Sequence, residues 1–197
     1  MITLKTVAAA IPATFMLAMM SMPALAQQQE SSADNAELAR FFFSGGALEG
    51  VRKVAENSPQ TTFSKTFVPV PGASTSWFVP AGDSDLLNVS FSAECRLFNN
   101  VLPPAGASNW VELRVMLSRV PAAAGFPVAM QPNDAGSAMA FCSANQWAMH
   151  AAQFAARVGG GNTGATYTAT VQYRVLGAAA NLQAWLDDYM LELHAYN

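Results

Sequence analysis

The last fourteen residues, AWLDDYMLELHAYN, hold the side chains that come closest to a catalytic or metal-binding group. Asp187 and Asp188 are adjacent carboxylates, and His194 follows six residues after the second. Leu191 and Leu193 alternate with polar neighbours, which is the period of a β-strand. Adjacent strand residues project to opposite faces, so this pattern predicts that the two aspartates do not act together as general acid and base.

Asp187 falls in phase with Trp185 and Tyr189, so we expect it to need a hydrogen-bonding partner or to lie at the sheet rim. One interpretation is that it accepts backbone N–H groups where the chain enters its last strand. The alternative is that it is one oxygen ligand of a structural calcium, which takes six to eight oxygens. The further donors would have to come from distant loops, which carry Asp83, Asp85, Asn133 and Asp134.

No catalytic signature accompanies these carboxylates. His150 and His194 lie far apart and belong to no HxxxH or HExxH pattern. The sequence also lacks the GxSxG turn of serine hydrolases, a phosphate-binding P-loop and a dinucleotide fingerprint. We therefore expect a protein that is not an enzyme and uses no cofactor, apart from the calcium considered above.

The four tryptophans are the better binding candidates, because an indole joins an apolar ring to one N–H donor and suits stacking on a sugar. Trp110 shares the phase of Glu112 and Arg114, so we expect it to face outward. Trp77 and Trp147 are the other two predicted ligand-binding residues. The alternative is that most of the four tryptophans fill the core.

Residues 1–26 have the three parts of a secretory signal peptide. Lys5 precedes an apolar run over 7–20, and Ala24-Leu25-Ala26 places small residues where signal peptidase cleaves. The run is too short for a comfortable membrane span, and no cysteine follows it for lipid attachment. We therefore expect cleavage near Ala26, a mature chain without a membrane span, and secretion or a periplasmic location.

Composition limits the remaining chain to a folded domain without a nucleic-acid partner. The whole sequence is 52% hydrophobic and only 12% charged, which argues against disorder. About 170 residues are enough for one domain with a substantial core. The formal net charge is −3, and the basic residues form no patch that would attract DNA, RNA or anionic lipid.

The chain has two cysteines, Cys95 and Cys142. In an exported protein an even pair favours a disulfide over a metal or redox site. A closed loop of this length is expected to stabilise the fold by about 4 kcal/mol.

From residue 61 onward the hydrophobic pattern has a period of two. The segments DLLNVSFSAEC, WVELRVMLSRV and ATYTATVQYRVL alternate apolar and polar residues, and shorter strands are predicted before and between them. Proline and glycine clusters supply the turns. The sequence therefore predicts an all-β protein, an antiparallel jelly-roll-like sandwich over 61–197, preceded by a short helical or irregular arm over 27–60.

Four motifs, VSFSAEC, AFCSA, YTATVQYRV and AWLDDYMLEL, together resemble secreted bacterial β-sandwich domains of the jelly-roll kind. The last strand is similar to the closing strand of galactose-binding-like carbohydrate modules, and the layout is similar to that of C1q-like domains. In the carbohydrate modules an aspartate on the last strand helps to hold a structural calcium. The resemblance implies Asp187 or Asp188 for that role here.

These observations lead to two functional hypotheses. The first is an exported, non-catalytic β-sandwich that binds a glycan or another cell-surface component through its loops or an exposed aromatic ring. The second is a structural protein that forms a homo-oligomer, in which the arm over 27–60 packs on a neighbouring subunit.

Overall fold

The computed structural model describes residues 47–98, 109–131, 138–143, 146–177 and 181–197. The described residues form ten β-strands and no helix. The strands are β1 (Leu48–Glu56), β2 (Gln60–Thr62), β3 (Val68–Val79), β4 (Ser84–Phe98), β5 (Trp110–Val120), β6 (Val128–Ala129), β7 (Met139–Cys142), β8 (Ala148–Gly159), β9 (Ala165–Leu176) and β10 (Gln183–Tyr196).

The strands make two antiparallel sheets packed face to face. Sheet 1 has the order β1-β10-β4-β8, with β2 also paired to β10; sheet 2 has the order β3-β9-β5-β6, with β7 also paired to β5. The pairs are nested along the chain, because β1 pairs with β10, β3 with β9, β4 with β8 and β5 with β7. This nesting is the topology of a jelly roll and confirms the predicted fold class.

The core follows the alternation seen in the sequence. On β9 every second side chain from Ala165 to Val175 is buried, and the threonines between them lie on the outer face. The same pattern runs along β4 and β5. Burying each large apolar side chain contributes about 1.5–3 kcal/mol, so the face that packs between the sheets is fixed by this period.

A disulfide joins the two sheets. Cys95 lies on β4 in sheet 1 and Cys142 on β7 in sheet 2, with their Cα atoms 6.3 Å apart. Both residues are buried. The predicted pairing is confirmed.

The segment over 27–60 differs in part from the predicted helical or irregular arm. Residues 27–46 and the predicted signal peptide lie outside the described residues, but Leu48–Glu56 forms strand β1, antiparallel to β10. Gly50 allows the ring of Trp77 to pack directly on this strand, since a Cβ there would lie 2.6 Å from the ring. These residues form a strand because they hydrogen-bond to β10. The sandwich therefore begins at Leu48 instead of residue 61.

The two ends of sheet 1 are named after residues of β4. At the end called the Phe98 end, β4 finishes, and β8 and β10 begin; Gln183 pairs with Phe98 there, and Ala148 pairs with Cys95. At the Ser84 end, β4 begins beside Gly159 and the last residues of β10. Residues that are distant in sequence therefore meet at the Phe98 end.

Candidate functional site

An aromatic cluster surrounds one arginine on the outer face of sheet 1, at the Phe98 end. The guanidinium carbon of Arg96 lies 5.2 Å from the ring centre of Phe98, 5.2 Å from that of Trp147 and 5.6 Å from that of Trp185. The Trp147 and Trp185 rings meet edge to face at 6.4 Å. Cation–π attraction to three rings holds the arginine in place. We call these four residues the Arg96 cluster.

Three strands bring the Arg96 cluster together. Arg96 and Phe98 share the outer face at the end of β4, and Trp185 is directly opposite Arg96 on β10. Trp147 immediately precedes β8, the other neighbour of β4. The geometry depends on sheet pairing, because these residues are separated by up to 89 positions in the sequence (185 − 96).

The cluster offers hydrogen-bond donors as well as rings. Arg96 Nε and Trp185 Nε1 are both buried and have no hydrogen-bond acceptor in the described part of the chain. A buried donor without an acceptor costs about 1–3 kcal/mol. Trp147 is 38% exposed and Phe98 42%. The exposed rings can therefore stack on an apolar ring face, and the two buried donors become available to a ligand only when the side chains that cover them move.

Trp77, a predicted ligand-binding residue, is occupied by structural contacts at the Ser84 end. Its Nε1 donates to Asp85 Oδ2 at 2.7 Å, and Asp85 is completely buried. The ring is partly buried against the core, covers Gly50, and has the Arg52 guanidinium 5.7 Å from its centre. These contacts give Trp77 a role in packing β1 onto the sandwich.

Trp110 faces outward as its phase predicts, but on sheet 2, away from the Arg96 cluster. Its Nε1 donates to Glu112 Oε1 at 3.1 Å, and Glu112 also forms an ion pair with Arg174 at 2.6 Å. On the same face, the Phe67 ring lies between the guanidinium groups of Arg114 (4.1 Å) and Arg174 (4.4 Å). The donor of Trp110 is thus already paired.

Asp187 and Asp188 do not project to opposite faces, which corrects the strand-phase prediction. A β-bulge interrupts the pairing of β10 with β4 between Asp187 and Met190, and Asp188 has a positive φ of 44°. Aspartate tolerates this left-handed conformation better than most residues. The extra residue places both aspartates outside, between buried Leu186 and buried Tyr189.

Asp187 Oδ1 accepts the backbone N–H of Asp188 at 2.9 Å, which is the local hydrogen bond expected for an aspartate at this position. Within the described part of the chain, the further oxygen donors predicted for a calcium ion do not gather around Asp187. Asp83 and Asp85 lie at the Ser84 end, about 30 Å away along β4 at ~3.3 Å per residue. Among the described residues, no three His, Cys, Asp or Glu side chains are close enough to hold a metal. Asn133 and Asp134 lie outside those residues, so calcium at Asp187 or Asp188 stays a prediction.

The two histidines lie on opposite faces of sheet 1. His194 is on the outer face beside Glu192, and its ring stacks on Tyr196 at 6.4 Å. His150 turns inward on β8, with its ring 5.5 Å from that of Phe141. Its Nε2 is buried and has no partner within the described ranges. Burial lowers the pKa of His150.

This environment predicts a loss of stability in mild acid. The unfolded chain protonates His150 near pH 6.5, whereas the folded protein resists protonation until a lower pH. The free energy of unfolding should therefore be highest above about pH 6.5 and decrease as the pH falls towards the lowered pKa. Urea unfolding between pH 8 and pH 4.5 should show a shallower acid decrease for His150→Leu than for the parent. An identical acid decrease in His150→Leu and in the parent would contradict the assignment.

Trp185 is one of the four tryptophan candidates, but it was not among the three that the sequence singled out for ligand binding. The sequence phase groups it with Tyr189 and the inward leucines, but the bulge reverses the phase before Tyr189. A signal is present in the sequence, since the apolar positions are even at Leu182, Ala184 and Leu186 and odd at Tyr189, Leu191 and Leu193. Such a change of phase within one strand indicates a bulge.

Comparisons with known proteins add no family. No family model matches the sequence, and no curated protein matches it. Among solved structures, a chain of the "Structure of infectious bursal disease virus Gx strain" is similar, with 10% identity and a TM-score of 0.39. The alignment covers 75% of this chain and 32% of the viral one, so the chain spans about a third of its neighbour's length. A likeness at this level carries no argument about function.

Proposed function

We propose that this protein is an exported, non-catalytic β-sandwich that binds a glycan at the Arg96 cluster. The observation that carries the proposal is an exposed Trp147 ring beside two buried N–H donors that lack acceptors in the described structure. A sugar can contact both the ring and the donors, since its C–H face stacks on an indole and its hydroxyl oxygens accept hydrogen bonds. Arg96 and its rings hold one another in position, so the exposed Trp147 face needs little ordering to stack on a sugar.

Export is the second part of the proposal. It rests on the signal-peptide pattern that ends at Ala26 and on the disulfide between Cys95 and Cys142. Disulfides persist in oxidising compartments such as the periplasm and the extracellular space. In the described part of the chain, no helix has the length and hydropathy needed to cross a bilayer.

Glycan binding is tested with protein purified after expression of the full coding sequence. A glycan array should identify bound sugars, and titration with a bound sugar should change tryptophan fluorescence. Trp147→Ala should weaken binding at least tenfold, about 1.4 kcal/mol, because it removes the exposed stacking surface. Trp110→Ala is the matched control and should bind normally, since Trp110 lies on the other sheet. A folded protein without array hits would overturn the proposal.

A structural role is the second candidate, and one observation favours it. Among the described residues β1 is an edge strand of sheet 1, and its Leu48 and Val51 side chains are 53% and 45% exposed. An exposed edge strand can pair with a strand of another chain. Light scattering during size-exclusion chromatography should then show an oligomer that Val51→Lys dissociates, whereas a monomer at micromolar concentration would exclude this role.

A further inference from the structure

An apolar groove crosses the outer face of sheet 1 next to the Arg96 cluster. Its volume is about 610 Å³, and its lining includes Ala55, Glu56, Ser92, Met149, Asp188 and Met190. Met149 is 61% exposed and Met190 36%. Methionine is flexible and polarisable, so methionines exposed at a groove suit an apolar partner that they can adapt to. We call this feature the methionine groove.

The β10 bulge forms one wall of the groove. Asp188 is the extra residue of the bulge, and after it the strand resumes with Met190 on the outer face opposite Ser92. Met149 reaches the same face from β8, where it pairs with Glu94. The groove therefore spans the sheet from β1, through the bulge, to β8.

Three carboxylates that form no ion pair within the described residues border the methionine groove. Asp187 and Glu94 are directly opposite one another on β10 and β4, and Asp188 lines the groove beside them. No basic side chain of the described residues is within ion-pair distance of any of the three. The guanidinium of Arg96, one row away, stacks on aromatic rings instead. Like charges placed opposite one another destabilise a sheet, so these positions suit a cationic partner.

Charge complementarity selects among the possible occupants. A second copy of this face would bring the same carboxylates together. Residues 27–46 of this chain contain Glu30, Asp34 and Glu37 against Arg40, which gives a net charge of 1 − 3 = −2. Both occupants would be repelled by the groove border. A basic partner would be attracted to it.

We infer that the methionine groove binds a segment of a partner protein in which apolar side chains alternate with lysine or arginine. The apolar side chains pack against Met149 and Met190, and the basic side chains pair with Glu94, Asp187 and Asp188. This surface goes beyond the proposed glycan site, since it lies about two residues further along each strand and uses different side chains.

The probe is a fluorescein-labelled twelve-residue peptide of alternating lysine and leucine, measured by anisotropy against protein from the full coding sequence at low and at physiological salt. Two control peptides of the same length are compared with it. One alternates glutamate and leucine and lacks the basic side chains, and the other alternates lysine and glycine and lacks the apolar side chains. The lysine and leucine peptide should bind at least tenfold more tightly than either. Raising the salt should weaken binding, because the carboxylates are exposed to solvent.

The variant pair is Glu94→Gln with Asp187→Asn, which should weaken binding of the peptide at least tenfold. Glu49→Gln with Asp83→Asn removes the same net charge at the Ser84 end and should change affinity by less than twofold. Met149→Ser should weaken binding about fivefold in otherwise unchanged, folded protein. Equal loss in both double variants, or equal binding of the lysine and glycine peptide, would overturn the inference. Glycan binding should survive Glu94→Gln with Asp187→Asn, so the two sites fail separately.

Discussion

Replacing Cys95 and Cys142 together with alanine is expected to lower the free energy of unfolding by about 4 kcal/mol. The disulfide closes a loop with a sequence separation of 47 and therefore restricts the unfolded chain. It also joins β4 of sheet 1 to β7 of sheet 2, and β7 is only four residues long. Because a domain has a net stability of about 5–15 kcal/mol, this loss would be a large fraction of the total.

Guanidinium unfolding of the oxidised parent and the double-alanine variant measures this effect. Adding a thiol reductant should shift the midpoint of the parent towards that of the variant and leave the variant unchanged. Cys95→Ala alone should behave as the double variant does, apart from the free thiol that it leaves at Cys142. An unchanged midpoint in the double variant would show that the strand pairing alone holds β7 against β5.

The fold was predictable because both sheets have one face in the core and the other in solvent. A strand in that setting must alternate apolar and polar residues, and β4, β5 and β9 do so over nearly their full lengths. The same alternation placed Cys95 in the interior, where it meets Cys142. Local sequence was sufficient for these strands, because local pattern and burial agree.

β1 was not predicted, since its pattern is not that of a half-buried strand. Leu48 and Val51 are exposed, while Gly50 and Arg52 turn towards Trp77 of the other sheet. Within the described residues β1 pairs only with β10, and the paired residues lie between 133 (189 − 56) and 148 (196 − 48) positions apart. These residues form a strand because they pair with β10 and pack against Trp77, and the sequence of β1 alone contains neither contact.

The candidate site was predicted only in part, and the bulge explains much of the difference. Trp147 was expected to bind a ligand and lies in the Arg96 cluster, but Trp185 was placed on the wrong face by extending the period of two through Asp188. Arg96 joins these residues only through the pairing of β4 with β8 and β10. Single-strand periodicity predicts the face that a side chain occupies but not its neighbours across the sheet.

Phe91→Ala is expected to lower the free energy of unfolding by about 3–5 kcal/mol, because it removes a ring at the centre of the core. Phe91 is completely buried on β4. Its ring centre lies 5.8 Å from that of Phe141 on sheet 2 and 5.6 Å from that of Tyr189 on β10. The alanine would leave a cavity between the sheets, and its size decides where in this range the loss falls.

Urea unfolding of variants at an exposed and at a buried phenylalanine separates this packing effect from a general loss of hydrophobic surface. Phe63→Ala removes the same ring from a position that is 57% exposed and should change stability by less than about 0.5 kcal/mol. Phe91→Leu should retain more than half of the stability that alanine loses, because leucine fills part of the cavity. A loss for Phe91→Ala no larger than that for Phe63→Ala would contradict a core packed between the two sheets.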